Sequence, residues 1–198
     1  DAILPLNNQM PHLFVTGNHD NENFIEHINT DNKIEGMTSG VAYSSRYNGA
    51  QFIILNTEQS NEAEEDLAPA ILDNQMEWFE GELQAAQEAK DNGEIDWIFV
   101  SYHRPLFSSS YHSLEDENVQ LVRDDLMALL DEYEVDLVFN GHDHNLTVTH
   151  ALKHNPDTFA KAEVATAGET YVTSTTFNHP EGTVFFIHSI YCGTENSF

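Results

Sequence analysis

Short apolar runs separated by polar turns alternate along the 198-residue chain with two longer stretches of helical period. The runs predict strands over residues 12–16, 51–56, 95–101, 135–140, 169–175 and 183–188. Trp97-Ile98-Phe99-Val100 and Val135-Asp136-Leu137-Val138-Phe139 are apolar almost throughout, the pattern of strands covered on both faces. One predicted helix spans 74–90, with Met76, Phe79, Leu83 and Ala86 on one stripe. The other spans 117–133, with Val119, Val122, Leu126, Leu129, Leu130 and Tyr133 on its stripe. Both stripes are the kind that face a core rather than a cofactor. No repeat and no Pro-, Gly- or Ser-rich linker divides the chain, so residues 1–198 are expected to form one layered α/β domain. The acidic stretch 58–66 reads as a solvated loop, and the Asn-rich segment 18–45 as an excursion near a site.

Composition changes this picture in two ways. Seven Lys and Arg face 34 Asp and Glu, a formal charge of −27. Such a surface lacks the cations that nucleic-acid backbones and anionic membranes require, so neither is expected as a main partner. No apolar run is long enough to span a membrane as a helix. Solubility in a salty or extracellular setting accounts for the acidity, and an enzyme acting on anionic phosphates would need bound cations to offset the field locally. The single cysteine, Cys192, excludes an internal disulfide and a cysteine-rich zinc site. Asn145-Leu146-Thr147 matches a glycosylation triplet, but its place beside His144 argues against a sugar there.

Candidate chemistry gathers at three places with one layout, a buried strand followed at once by a polar turn bearing histidine. Phe14-Val15-Thr16 leads into Gly17-Asn18-His19-Asp20, and Ile98-Phe99-Val100 into Ser101-Tyr102-His103-Arg104-Pro105. Val138-Phe139-Asn140 leads into Gly141-His142-Asp143-His144. Ligands of α/β sheets bind beyond the carboxyl ends of the strands, where three such turns on neighbouring strands would converge. The glycines at 17 and 141 are expected to let the backbone turn tightly. A lone His after a strand is ordinarily a polar loop residue, and an HxH triplet alone is weak evidence. Three such turns in one chain point to a shared site of imidazole, amide oxygen and carboxylate donors. Those donors suit iron, manganese and zinc alike.

Gly17-Asn18-His19-Asp20, Val100-x-x-His103 and Gly141-His142-x-His144 resemble the last three motifs of the calcineurin-like metallophosphoesterases. The likeness is strongest to the purple acid phosphatase branch. It extends through Tyr43-Ser44 to Phe52-Ile53-Ile54-Leu55-Asn56, through Gln75-x-x-Trp78-Phe79-x-x-Glu82-Leu83 and through His103-Arg104-Pro105. The resemblance implies an αββα fold, two sheets in a sandwich flanked by helices. Two earlier family motifs, an Asp-bearing one and a Gly-Asp one that supplies the bridging carboxylate, have no match here. The chain is therefore expected to be part of a longer protein, incomplete at its N-terminus and at its C-terminus, with strand edges open to self-association.

By the same resemblance, Asn18, His103 and His142 would hold one metal ion and His144 would help hold a second. The two divalent or trivalent ions would be iron, manganese or zinc, with a metal-bound hydroxide as nucleophile. His19 would protonate the leaving alcohol with Asp20 orienting it. His112 and Arg104 would face the substrate phosphate, although an exposed loop histidine and a loop-supporting arginine explain those two equally well. His27, His150, His154, His179 and His188 fall in no motif and read as structural or surface residues. The implied activity is hydrolysis of phosphoric esters, monoesters ahead of diesters. A phosphodiesterase or nucleotidase, or an inactive fragment acting as a binding or structural module, stands as the alternative. An extracellular or cell-envelope location fits the acidity and the branch.

Overall fold

The computed structural model describes residues 11–20, 34–37, 41–62, 67–110, 115–165 and 181–188. Its framework is a six-stranded sheet built from β1 (Tyr43–Tyr47), β2 (Ala50–Ile54), β3 (Trp97–Tyr102), β4 (Leu137–Asn140), β5 (Leu146–Val148) and β8 (Val184–His188). The strand order is β1-β2-β3-β4-β8-β5. The four central strands β2, β3, β4 and β8 run parallel, and the edge strands β1 and β5 run antiparallel to them. Two short strands, β6 (Leu152–His154) and β7 (Ala162–Val164), form a separate hairpin.

Helix α1 (Asp73–Asp91) connects β2 to β3, and α2 (Glu117–Glu132) connects β3 to β4. Each is held by its apolar stripe. Phe79, Leu83, Ala86 and Ala89 of α1 and Val119, Val122, Leu126, Met127 and Leu130 of α2 are buried. They pack with Ile53, Ile98, Val100, Tyr102, Val138, Phe185 and Ile187 of the sheet in one cluster. A fully buried Phe79 or Leu126 contributes about 2 kcal/mol through burial alone. Gly93, at φ 71°, ends α1, while the Gly93 and Glu94 N–H groups donate back to Lys90 O and Ala89 O. The predicted first helix is one residue shorter at each end, and the predicted second starts at the same residue and runs one residue longer.

The sheet departs from expectation on its second face. Strand β3 alternates partly exposed and buried positions, so the helices cover one face only. On the other, Phe52, Phe99, Phe139 and Phe186 form a ladder across β2, β3, β4 and β8, with successive ring centroids 5.3, 6.1 and 6.1 Å apart. The strands read as apolar throughout because both faces are apolar, yet a second sheet over this face is not among the described residues. The α/β class holds, and the described part is one helix-covered layer plus a hairpin.

Three further differences concern elements. Residues 12–16 form no strand; they are pinned by Tyr43, whose hydroxyl accepts from Phe14 N (2.7 Å) and donates to Phe14 O (3.1 Å). Strand β1, inside the expected excursion, is paired with β2 across the two-residue turn Asn48-Gly49. The stretch beginning at Glu58 is no solvated loop at its start, because Glu58 and Gln59 are 6% and 0% exposed and tied to Arg104 and Gln75. The predicted strand over 169–175 lies outside the described residues.

Candidate metal centre

Parallel strands β3 and β4 end side by side, with Tyr102 opposite Asn140 in register. The chain continues from them into His103 and into Gly141-His142, which brings the two imidazoles together. Their ring centroids lie 5.1 Å apart at an interplanar angle of 73°. The Gly141 N–H donates to His103 O (3.1 Å) and locks the two turns to each other. His142 adopts a left-handed backbone, φ 63°, an uncommon conformation for a residue with a side chain.

The third turn arrives from residues 11–20. Val41 N donates to Thr16 Oγ1 (2.9 Å), and Asp20 N donates to Gly17 O (2.9 Å), which closes the turn holding Asn18 and His19. Asn18 Oδ1 then lies 2.8 Å from His103 Nε2 and 3.4 Å from His142 Nδ1. Gly17 passes so close to His103 that a Cβ there would sit 2.9–3.1 Å from three atoms of its ring. Gly141 flanks the same ring, with a virtual Cβ 3.1 Å from Nδ1.

These donors fit a transition-metal ion. Ligands held about 2.1 Å from one ion in octahedral or tetrahedral arrangement stand roughly 3.0–3.4 Å from each other; Asn18 Oδ1 lies at 3.4 Å from His142 Nδ1 and at a hydrogen-bonding 2.8 Å from His103 Nε2. Imidazole must also offer a lone pair. Burial first, then the neighbouring His142, Arg104, His19 and His144, pushes the His103 pKa down to about 4, so the ring is neutral at neutral pH. His19 and His144 are thus within electrostatic reach of the group, both on the exposed side. Among the described residues no three His, Cys, Asp or Glu side chains cluster; the convergent set is two histidines and an asparagine.

Two of the predicted site residues are tied to their neighbours. Asp20 Oδ2 accepts from Gly17 N (2.8 Å), which ties the carboxylate into the turn that carries His19. Arg104 turns its guanidinium to Glu58, at 2.8 Å from both Nε and Nη2, and its Nη1 donates to Asp116 Oδ2 (2.5 Å). Burial alone would lower the Arg104 pKa, but hydrogen bonds and charge from Glu58 and Asp116 outweigh it and raise it. Its backbone N–H donates to Thr57 Oγ1 (3.0 Å), which makes Arg104 a brace for the His103 turn. His112 lies outside the described residues, as do His27 and His179. His154 Nε2 sits 2.7 Å from Asp124, in the structural role expected of it. Asn145 donates to the hydroxyls of Ser108 (3.2 Å) and Ser109 (3.1 Å), so the amide of the glycosylation triplet is already engaged.

Sequence reasoning missed the carboxylates behind Arg104, and it gave Asp143, fully buried between His142 and His144, no role. A signal for Asp116 existed: an Asp just before an apolar helical run is an N-cap, and Asp116 Oδ1 accepts from Val119 N (3.4 Å).

The family model of calcineurin-like phosphoesterases matches residues 1–146. The Fe(3+)-Zn(2+) purple acid phosphatase 12 of Arabidopsis thaliana is 29% identical over 122 residues, covering 61% of this chain and 23% of the relative. Purple acid phosphatase 23 of the same plant is 26% identical over 149 residues, 71% of this chain and 30% of the relative. The chain thus spans less than a third of the length of either. A solved purple acid phosphatase from Lupinus luteus seeds superposes with a TM-score of 0.42 at 20% identity, over 76% of this chain and 33% of that one. The strand-end turns that meet around Asn18 all lie within the matched span, and this chain belongs to the calcineurin-like phosphoesterases, with its likeness to their purple acid phosphatase branch.

Proposed function

We propose that this chain is part of the catalytic domain of a metal-dependent hydrolase of phosphoric esters, monoesters ahead of diesters. The observation that carries this reading is the approach of Asn18 Oδ1 to His103 Nε2 and His142 Nδ1 at the carboxyl ends of two parallel strands. Asn18, His103 and His142 would hold one iron, manganese or zinc ion, and His144 would help hold a second. When bound, the pair supplies positive charge to the phosphoryl oxygens and lowers the pKa of the attacking water.

The chain's own residues do the rest. Asn18 and the two imidazoles hold the ion without adding negative charge, which favours approach of an anionic substrate to so acidic a molecule. His19, exposed on the same turn, protonates the leaving alkoxide at its oxygen, and Asp20 holds that turn in shape. Gly17 and Gly141 keep the space that the His103 ring fills. His112 is retained as a substrate-facing residue by the resemblance alone. A small phosphoester is the expected partner. An extracellular or cell-envelope location goes with the acidity; no described helix is long and apolar enough to cross a membrane.

The test is hydrolysis of p-nitrophenyl phosphate and of bis(p-nitrophenyl) phosphate by the longest natural form of the protein, before and after chelation, and with His142→Ala. Loss of about 10²-fold or more in kcat/KM on the monoester, by chelation and by substitution alike, is expected. Faster turnover of the diester would instead select the phosphodiesterase or nucleotidase reading. Unchanged turnover in both arms would sink the catalytic reading in favour of a binding module.

A further inference from the structure

We propose that Asp143 is a charge-compensating, positioning residue of the metal centre, its buried carboxylate held in reserve for cations bound by the flanking His142 and His144. The inference rests on the metal-centre reading above and goes beyond it, because Asp143 belongs to no ligand set considered there.

Asp143 is 0% exposed, and both carboxylate oxygens are buried without a hydrogen-bond partner. A carboxylate in that position is costly unless charge or donors reach it. The side chain is not there because the backbone needs it. Its N–H donates to Gly141 O (2.7 Å) and Asn145 N donates to its carbonyl (2.7 Å), two tight turns that any residue could make through its main chain. Nor does a salt bridge hold it among the described residues. Its neighbours on both sides are less buried: His142 is half-buried and lies 3.4 Å from Asn18 Oδ1, and His144 is exposed. The buried carboxylate thus sits in the chain directly between the two histidines of the HxH turn.

A metal centre explains this arrangement. The convergent donors Asn18, His103 and His142 are all neutral, so cations bound there bring uncompensated positive charge. A buried anion next in the chain to His142 lowers that cost from within, where water screens it little. Without cations, the same anion works against the fold. Groups that orient or balance metal ligands from behind typically change metal affinity by about 10–100-fold when removed.

The two halves give a test with opposite signs. Asp143→Asn keeps the shape and removes the charge, and Asp143→Glu keeps the charge and changes the reach. Thermal unfolding of the metal-free chain and titration with Mn2+ by calorimetry are measured for wild type, both variants and His142→Ala. The expected result is that Asp143→Asn melts at or above the wild-type temperature without metal and binds Mn2+ about 10–100-fold more weakly. Its Mn2+-induced rise in melting temperature should shrink in step. Asp143→Glu should keep more of the affinity than Asp143→Asn does. A metal-free Asp143→Asn that melts well below wild type, or one that binds Mn2+ as tightly, overturns the inference while leaving the metal reading intact, provided His142→Ala still loses binding. Wild type that takes up no Mn2+, or His142→Ala that binds as well as wild type, overturns the metal reading and the inference with it.

Discussion

Gly17 shows how a single position controls the candidate centre. The sequence suggested that the glycines at 17 and 141 serve tight turning, but neither backbone lies in the left-handed region that favours glycine. Space is the reason instead. A methyl at Gly17 would meet His103 Cε1, Nδ1 and Nε2 at 2.9, 3.0 and 3.1 Å, and the ring would have to leave Asn18 Oδ1. Gly17→Ala is therefore expected to weaken Mn2+ binding by roughly 10–100-fold, the effect of mis-setting a ligand. Overpacking should cost the fold only about 1–3 kcal/mol. Gly141→Ala, which meets one ring atom at 3.1 Å and the next at 3.5 Å, should do the same more mildly. Calorimetric titration beside a chemical melt separates the two effects, and unimpaired binding in Gly17→Ala would mean that His103 is no ligand. Such a steric role cannot be read from sequence, because it depends on what a distant turn places against the glycine.

At the scale of elements, Arg104 joins three of them. It follows β3, holds Glu58 in the segment after β2, and grips Asp116, the N-cap of α2. Both carboxylates are largely buried, with side-chain exposures of 8% and 12%. Arg104→Met would leave two buried anions facing each other, and a loss of about 3 kcal/mol in unfolding free energy is expected. Arg104→Lys should recover only part of it, since one ammonium cannot replace a fork that bonds two partners. Urea unfolding measures both; a methionine variant as stable as wild type would show that the brace carries no stability. The elements themselves were largely legible. Helices α1 and α2 were readable because a 3.6-residue apolar period is a long, redundant signal, and β3, β4 and β8 because they are apolar runs. Strand β1 was hidden because Tyr43-Ser44-Ser45-Arg46-Tyr47 is a polar edge strand held through its backbone. Its one local signal was Asn48-Gly49, a pair suited to the two positive φ angles of a hairpin turn, here 50° and 79°. The brace itself joins positions 46 and 12 residues apart, and sequence offers no period by which to find it.

On the scale of the whole molecule, two properties pull against each other. The sheet face opposite the helices presents a groove lined by Trp97, Phe99, Leu137, Phe139, Val148 and Phe186, in which Phe139 and Val148 are 37% and 46% exposed. Apolar surface of that kind favours association of this chain through the face. A formal charge of −27 on every copy opposes it. Charge repulsion reaches about 30 Å at 0.01 M salt and about 3 Å at 1 M, whereas apolar contact does not weaken with salt. The 198-residue chain is accordingly expected to be monomeric at low ionic strength and to associate as salt rises, the reverse of assembly through ion pairs. Light scattering coupled to size exclusion, run between 0.01 and 1 M NaCl, reads this directly. Phe139→Asp, at a partly exposed position on the ladder, should hold the chain monomeric across that range, at some cost in melting temperature because Phe139 packs on Phe99 and Phe186. A chain that stays monomeric at high salt would show that the aromatic face is closed to partners. One that dissociates as salt rises would place the contact in the few basic side chains instead.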